Sequence, residues 1–411
     1  MEEIKMRLKD ISLKLKELSL NEYIVIALIS SVFISVYLQA ALILLLPIFY
    51  IATKQTRKAL PREKHEYALL AFSVLSMLTT FIRAEDATVR EQVIKANWLK
   101  LLSIGIIILV FNIIFFSNIM TKRAFHLGMV LSAVLSITSF IIAVIQKFLG
   151  IHPDPITRPG RVASVYFNEN YYSTVIEFIV IIALYLLFKS TNKKAKVFYG
   201  FVVTINIIGL YLSQCRTAYM AVTISIVTFF LIHLSKKQLC GIIFCILIIA
   251  LLMTLCSKVI NIEVLERFNL NRLISDFGFR SGIWKTALNS VKDYPFFGHG
   301  YYSYGAVMNN STAMAQYTAI HAHNLIIEIL MDFGIVGTAL LLAYCIISVK
   351  KCLELSIASK EKTSLALIIS TVLSIVVHGI FDITVIFPQT GFFVVFLLGI
   401  PQMFDEKVVN Q

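Results

Sequence analysis

The sequence lacks the features that mark a disulfide-bonded, zinc-binding or low-complexity protein. Its six cysteines lie in or beside apolar runs and no two of them form a CxxC pair, so neither a disulfide framework nor a zinc site is expected. Residues 1–20 are charged throughout and contain no apolar stretch of the kind found in cleavable signal peptides. No short-period repeat and no low-complexity segment is present.

Apolar residues make up most of the sequence. Hydrophobic residues are 58% of the 411 positions and the mean hydropathy is +0.81, whereas ordinary soluble domains are about 45–50% apolar. A window of about 20 apolar residues spans the hydrocarbon core of a bilayer, and such windows recur along almost the whole chain. The composition therefore predicts an all-α integral membrane protein.

Charged residues between the apolar runs predict its topology. The first apolar block, 22–52, has lysines and arginines on both flanks, so it is expected to cross twice and to turn near Tyr37–Gln39. With the N-terminus in the cytoplasm, every strongly basic short loop falls on the cytoplasmic side. This predicts about twelve transmembrane helices, with both termini cytoplasmic and the ten later spans near residues 67–83, 98–118, 124–147, 171–188, 197–213, 217–234, 239–258, 323–348, 363–381 and 384–403.

The predicted domain organisation follows these spans. It consists of a basic cytoplasmic segment (1–21), nine transmembrane helices (22–258), a large extracytoplasmic loop (259–322), three further helices (323–403) and a cytoplasmic tail (404–411). The loop is far longer than a bundle needs to join two helices, so we expect it to be functional. Residues 280–294 space their apolar side chains at close to the helical period, which predicts a short helix that ends before Pro295.

The net charge of +13 does not indicate a nucleic-acid partner. The lysines cluster in short loops between apolar runs, as positive-inside topology requires, and they suit anionic lipid headgroups. The expected partner of this charge is the lipid bilayer.

Polar residues of the C-terminal half gather at the outer ends of the predicted spans. Each arginine or histidine among them, taken alone, is readily explained as a side chain anchored at the headgroups, but basic residues on that side oppose the positive-inside bias. They are Arg161, Asn168, Glu169, Asn170, Arg216, Arg280, His321, His323, His378 and Asp382.

The segment HAHNLIIEILMDFGIVG, residues 321–337, places acids inside an apolar run. Asn324, Glu328 and Asp332 are spaced i, i+4, i+8 and so predict a polar stripe along one helix face. Carboxylates are costly against lipid, so this face is expected to look into the bundle or a wet cavity. Gly334 and Gly337 are expected to let a neighbouring helix approach closely.

Arginines and a histidine together suit one kind of chemistry. A guanidinium group binds phosphate oxygens bidentately, and a neutral imidazole accepts a proton near pH 7. A lipid diphosphate as leaving group and a sugar hydroxyl as nucleophile would use both, with fixed positive charge in place of a metal ion. Sugar rings are expected to stack on flat aromatic side chains, and the candidates are Phe296, Phe297, Tyr301, Tyr302 and Tyr304.

Four motifs in order, and a fifth element at the C-terminal end, resemble those of the O-antigen ligase and O-antigen/capsule polymerase superfamily of bacterial membrane glycosyltransferases. The resemblance runs from about residue 155 to 400, and Ser164 and Glu169 depart from it where glycine and proline are usual. Its elements are HN-x9-G-x-x-G (His323, Asn324, Gly334, Gly337), R-x-x-x-W…P-x-x-G-x-G (Arg280, Trp284, Pro295, Gly298, Gly300), the turn SQCRTAYMA with Arg216, the stretch GRVASVYFNENYYS with Arg161, Phe167, Asn168 and Asn170, and the C-terminal HGIFD.

The resemblance implies an inverting transfer of undecaprenyl-diphosphate-linked glycan at the outer face of the bacterial cytoplasmic membrane, without metal or cofactor. If the roles of the family's motif residues are transferred to the matching positions, His323 activates the acceptor hydroxyl, and the diphosphate is held by Arg161, Arg216 and Arg280. His321 remains a rival base. Further substrate contacts are expected from Asn324, Glu328, Tyr301 and His321, and the further partners are the glycan acceptor, a chain-length regulator and a flippase.

Alternatives remain open at this point. A polymerase is favoured over a ligase because the low-proline, Ile/Lys-rich composition is typical of a low-GC organism without an outer membrane. A transporter of lipid-linked sugars is the alternative of another class, although transporters place ionisable residues near the bilayer midplane. A structural or sensory membrane protein would give no reason for these residues to gather on one side.

Overall fold

The computed structural model describes residues 18–84, 96–150, 160–234, 270–304 and 321–399. Within these ranges the chain forms helices and no strand. Two short 3₁₀ turns, Thr56–Ala59 and Thr384–Ile386, accompany the α-helices. In chain order the α-helices are α1 Leu20–Val32, α2 Val36–Ala52, α3 Lys64–Arg83, α4 Ala96–Ile119, α5 Lys122–Leu149, α6 Glu169–Lys189, α7 Lys193–Ser213, α8 Arg216–His233, α9 Leu270–Val291, α10 Leu325–Ala358, α11 Lys362–Phe381 and α12 Pro388–Leu397.

Eight of the described helices, α3 to α8 with α10 and α11, are long and apolar enough to cross a membrane. Three more, α1, α2 and α12, are apolar but only 10–17 residues long. The predicted all-α membrane protein is thus confirmed. The predicted span 239–258 lies outside the described residues, so the count of twelve stays a prediction.

The expected turn near Tyr37–Gln39 is wrong. Helix α1 ends at Val32 and α2 begins at Val36, so the turn lies at residues 33–35. The side chain of Ser35 accepts a hydrogen bond from the N–H of Tyr37 (3.2 Å) and caps α2. A hydroxyl that satisfies a free N–H fixes a helix start, and hydropathy does not report it.

The amphipathic helix predicted at 280–294 is present but longer. Helix α9 begins at Leu270, ten residues earlier, and ends at Val291. It is too polar to count among the candidate membrane spans. It packs against α10 through a small cluster that contains Ile283, Ala287 and Met331.

Helix α6 is the centre of the main bundle. In its apolar window 89% of the residues are buried, against 28–50% in the other seven spans. Helices α7, α8 and α11 pack around it. Helices α8 and α11 also approach closely, because Ser225 and Ser370 each donate a hydroxyl hydrogen bond to the other's carbonyl (3.1 and 3.0 Å). Small polar residues of this kind are typical of helix interfaces in membranes.

Helix α10 is broken at Gly334, whose backbone is left-handed (φ 63°, ψ −168°). The loop after α9 lies in the break and pairs with the backbone groups that the break releases. A Cβ on Gly334 would lie 2.5 Å from the carbonyl group of Phe296. Four hydrogen bonds join loop and helix: Ile335 N–H to Pro295 O (2.8 Å), Val336 N–H to Phe296 O (3.0 Å), His299 N–H to Met331 O (2.9 Å) and Gly300 N–H to Asp332 O (2.8 Å).

At Gly334 the expectation that the glycine admits a neighbouring helix is therefore wrong. At Gly334 the close neighbour is the loop backbone. At Gly337 the nearest atom is Cβ of Phe333 in the same element, and Leu75 of α3 makes only an ordinary contact at 3.7 Å. Gly334 thus serves the break in α10, whereas Gly337 lies where Phe333 and Leu75 of α3 are nearby.

Candidate active site

The site lies at one end of the bundle, where five helix termini meet. The N-termini of α6, α8 and α10 and the C-termini of α7 and α11 lie there, as the contacts below show. At the other end of the bundle lie basic side chains paired with acids. These pairs are Lys189–Glu361, Lys351–Glu63 (2.6 Å) and Arg123–Glu22 (3.7 Å).

His323 faces the carboxylate of Asp382. Its Nδ1 lies 3.6 Å from Oδ1, slightly beyond hydrogen-bond distance, and its side chain is 35% exposed. His323 has a left-handed backbone (φ 47°), which few non-glycine residues adopt without support from their surroundings. That support comes from Asn324, which caps α10 through Ile327 N–H (3.0 Å) and donates to the carbonyl of Ile380 (3.0 Å).

Asp382 follows the last residue of α11 and holds the site together. Its Oδ2 accepts from Asn170 Nδ2 (2.8 Å) and its Oδ1 from the N–H of Ile383 (2.9 Å). Burial alone would raise the pKa of Asp382, but His323, His378 and the Ile383 N–H outweigh it and hold the pKa well below its usual range. The carboxylate beside His323 is therefore ionised.

Arg161 is built into the interior. Its Nη1 lies 2.5 Å from Glu169, and both side chains are almost fully buried. Its Nε donates to the carbonyl of Ser213 (2.8 Å), and its Nη2 donates to Asn170 Oδ1 (3.2 Å). Arg161 thus joins the end of α7 to the residue that holds Asp382.

The loop before α6 shows why a glycine suits position 164. Ser164 has a left-handed backbone (φ 54°), which glycine adopts without steric cost. Buried Gln146 holds this loop by accepting from the N–H groups of Ala163 (3.2 Å) and Ser164 (2.8 Å) and donating to Ser164 O (2.7 Å). Ser139 accepts a hydrogen bond from the Ser164 hydroxyl (2.7 Å).

Arg216 and Arg280 lie on the same side of this network. Arg216 begins α8 and forms an ion pair with Asp276 of α9. Burial lowers the pKa of Arg280, with Asp382 opposing and Arg216 adding to that effect, so both charges lie within its electrostatic range. The Arg280 guanidinium is 5.5 Å from the ring centre of Phe381, next to Asp382.

Helix α9 reaches the histidines through Trp284. Its indole N–H donates to the carbonyl of Ala322 (3.0 Å), and its ring lies 6.4 Å from that of Phe381. Arg280 and Trp284 are one turn apart and so share a face. The motif R-x-x-x-W therefore sets one helix against both His323 and Asp382.

The acids of α10 orient loops instead of facing an open cavity. Glu328 accepts from the N–H of Ala322 (2.6 Å) and lies 3.5 Å from Nδ1 of His321. Asp332 accepts from the N–H and hydroxyl of Ser303 (3.0 and 2.6 Å) and from Tyr302 N–H (3.1 Å). Both acids are 4% exposed.

One part of the predicted stripe needs correction. Asn324 is the cap of α10 and lies before the helix, so only Glu328 and Asp332 share the helix face. The face meets backbone N–H groups of the loops at 301–304 and 321–323, which satisfy the carboxylates as a wet cavity would.

His321 is the more enclosed of the two histidines. Its side chain is 14% exposed, and its ring packs edge-on against Tyr302 (5.6 Å) and Phe387 (6.3 Å). His323 has the more accessible imidazole of the two.

The expected aromatic platform is only partly present. Phe296 and Phe297 are exposed, but Tyr304 is 1% exposed and the expectation that it offers a face to sugars is wrong. Tyr301 stacks on Phe333 (6.4 Å) and donates its backbone N–H to Thr80 (2.9 Å). Burial raises the pKa of Tyr301 to about 12.

A second histidine–carboxylate pair lies deeper between α6 and α11. Glu177 is 2.5 Å from Nδ1 of His378 and accepts from the hydroxyl of Ser374 (2.6 Å). Glu177 and His378 are each 1% exposed as side chains. His378 is one turn before Asp382 and adds positive charge beneath it.

Sequence reasoning missed several residues that build the site. One feature of the sequence could have pointed to Asp276, namely its position one turn before Arg280 on a helix. No sequence feature pointed to Gln146, Ser303 or Glu177, because each contacts its partner only in the tertiary fold. Asp382 stood in the HGIFD motif, but its partner His323 is 59 positions away.

The arrangement can bind an anion beside a base. Arg216 pairs with Asp276, one turn before Arg280 on α9. The Arg280 guanidinium packs against Phe381, the residue before Asp382, and Asp382 faces the half-buried imidazole of His323. The Asp382 carboxylate favours a proton on Nδ1 and leaves Nε2 to accept one.

Comparison with known proteins concerns the family of the chain. No curated protein matches the chain. A family model described as O-antigen ligase matches residues 200–342, a range that contains Arg216, Arg280, His321 and His323. Residues 200–342 of this multi-pass membrane protein therefore contain an O-antigen ligase domain match, which supports the resemblance of the chain to the O-antigen ligase and polymerase superfamily.

Proposed function

We propose that this protein transfers or polymerises undecaprenyl-diphosphate-linked oligosaccharide at the extracytoplasmic face of the bacterial cytoplasmic membrane. The observation that carries the proposal is the approach of Asp382 to His323 beside Arg216 and Arg280. The basic pairs at the far end of the bundle support the orientation, because positive loops stay in the cytoplasm. Both termini are then cytoplasmic.

In the proposed reaction Nε2 of His323 takes the proton of the acceptor hydroxyl. The hydroxyl oxygen bonds to the anomeric carbon, and the bond from that carbon to the diphosphate oxygen breaks. The diphosphate leaves with the bonding electron pair, and Arg216 and Arg280 stabilise its charge. Attack opposite the leaving group inverts the anomeric centre, and no metal or cofactor takes part.

The other predicted site residues receive supporting roles. Arg161 already pairs with Glu169 in the interior, which favours a positioning role over direct contact with the diphosphate. Asn324 and Glu328 position His323 and His321 through the α10 cap and Ala322. Tyr301 and His321 line the substrate side, with exposed Phe296 and Phe297 for sugar rings.

Polymerase and ligase differ in the acceptor. The composition favours a polymerase, in which one lipid-linked repeat chain is moved to another. The description of the matched family favours a ligase, which moves the chain to a terminal acceptor such as lipid A-core.

The deciding experiment uses purified protein with defined undecaprenyl-diphosphate oligosaccharides, with and without lipid A-core, and resolves products by gel. A ladder indicates a polymerase, and a single shift that requires lipid A-core indicates a ligase. Transfer abolished by chelator and restored by a divalent cation would contradict the metal-free mechanism. Lipid-linked substrate moved across vesicles without any new glycosidic bond would indicate a transporter.

A further inference from the structure

One of the two arginines that the proposed function assigns to the diphosphate already forms an ion pair with an acidic side chain. Arg216 Nη2 and Asp276 Oδ2 form an ion pair between the start of α8 and the second turn of α9. The two side chains are 26% and 46% exposed. Asp276 is also one turn before Arg280 and within its electrostatic range.

The carboxylate therefore lies where two guanidinium groups face the same space. Carboxylate and phosphate oxygens make the same charge-assisted hydrogen bonds to a guanidinium fork. A diphosphate that binds Arg216 and Arg280 would meet the negative charge of Asp276 and compete with it for Nη2 of Arg216.

Docking of α9 does not need this ion pair. Ile283 and Ala287 are completely buried, and Trp284 donates to Ala322. Half-exposed ion pairs contribute little to stability. The position of α9 thus rests on its apolar face and on Trp284.

We propose that Asp276 is an internal counter-ion, which occupies Arg216 in the empty site and gives way to the donor diphosphate. The inference rests on the proposed function. It implies that Asp276 lowers donor affinity and helps the undecaprenyl diphosphate product to leave, because the carboxylate competes for the same guanidinium.

Binding of inorganic pyrophosphate tests this without any glycan transfer. The sequence contains two tryptophans, and Trp98 is 59% exposed, so Trp98→Phe leaves Trp284 as the reporter on α9. Its ring contacts that of Phe277 at 6.0 Å, next to Asp276. Full-length protein in nanodiscs is titrated with pyrophosphate while Trp284 fluorescence is followed.

Asp276→Asn is expected to bind pyrophosphate about three- to tenfold tighter, the change expected if the carboxylate leaves roughly a tenth to a third of the empty sites open. The gain should shrink as ionic strength rises. In transfer assays the variant should lower the KM for donor and strengthen inhibition by undecaprenyl diphosphate.

Two controls accompany the variant. Asp276→Glu should keep the weaker binding, and Glu354→Gln, which removes an exposed carboxylate paired with Lys350 at the far end of α10, should change nothing. Equal or weaker pyrophosphate binding by Asp276→Asn would overturn the proposal. Tighter binding without any glycan transfer would support the counter-ion and contradict only the proposed function.

Discussion

Gly334 and Phe296 are in backbone contact, since a Cβ on the glycine would come within 2.5 Å of the phenylalanine carbonyl. This contact joins the loop after α9 to the broken helix α10. The break sets the two loops that carry Tyr302, Ser303 and His323 against Asp332 and Glu328. The geometry of the site thus depends on a glycine ten residues after the cap of α10.

Replacing Gly334 by alanine is expected to destabilise the protein strongly. A left-handed backbone alone costs a non-glycine residue about 1–2 kcal/mol, and the new methyl group would collide with Phe296. The apparent melting temperature in detergent and transfer activity should both fall. The matched control is Gly105→Ala, inside α4 with no atom within 4 Å, where the melting temperature should stay or rise. If Gly334→Ala left the melting temperature and the transfer activity unchanged, that result would contradict the close approach of Gly334 and Phe296.

His323→Ala is expected to lower kcat by about 10²- to 10⁴-fold, the usual contribution of a general base, while lipid-linked donor still binds. His321→Ala should lower stability, because its ring is enclosed by Tyr302 and Phe387, and reduce kcat far less. Kinetics with defined donor and acceptor compare the two variants. The reverse ranking would identify His321 as the base.

Asp382→Asn is expected to lower both transfer and stability, because the amide cannot accept from Asn170 and Ile383 and also attract His323. The pKa of Asp382 is lowered in the fold, so its contribution to stability is complete above its ordinary pKa of about 3.9 and declines as pH falls below that value. Melting curves from pH 7 to 3 measure this. The difference between wild type and variant should narrow towards pH 3, and a constant difference would contradict the ionised carboxylate.

Gln146→Ala is expected to release the loop of Ser164. It removes Oε1, the one oxygen that accepts from the N–H groups of both Ala163 and Ser164, and an unsatisfied buried donor costs about 1–3 kcal/mol. The neighbouring variant Lys147→Ala removes an exposed contact to Gly160 O (2.8 Å) in the same loop and should have a small effect. Melting temperatures of the two variants provide the comparison. Equal effects would mean that burial does not decide the role of Gln146.

The length of the apolar runs predicted the spans well, because a run long enough to cross the hydrocarbon core is a property of one local segment. The α3 and α5 to α8 boundaries differ from the predicted spans by four residues or fewer. The turn at 33–35 and the break at Gly334 escaped this reasoning. Both depend on backbone hydrogen bonds whose partners, Ser35 and the loop at Pro295, carry no hydropathy signal.

The sequence by itself determined that this is an all-helical membrane protein whose motifs resemble those of the O-antigen ligase and polymerase superfamily, and it named His323, Arg216 and Arg280 as candidates. Composition and local motifs carry that information because each is read within one segment. Only the tertiary structure decided which acid meets which base: Asp382 with His323, Glu169 with Arg161 and Asp276 with Arg216. These pairs join residues on different elements or at a distance along one loop, and electrostatic attraction acts on separation in space, which packing of the helices sets.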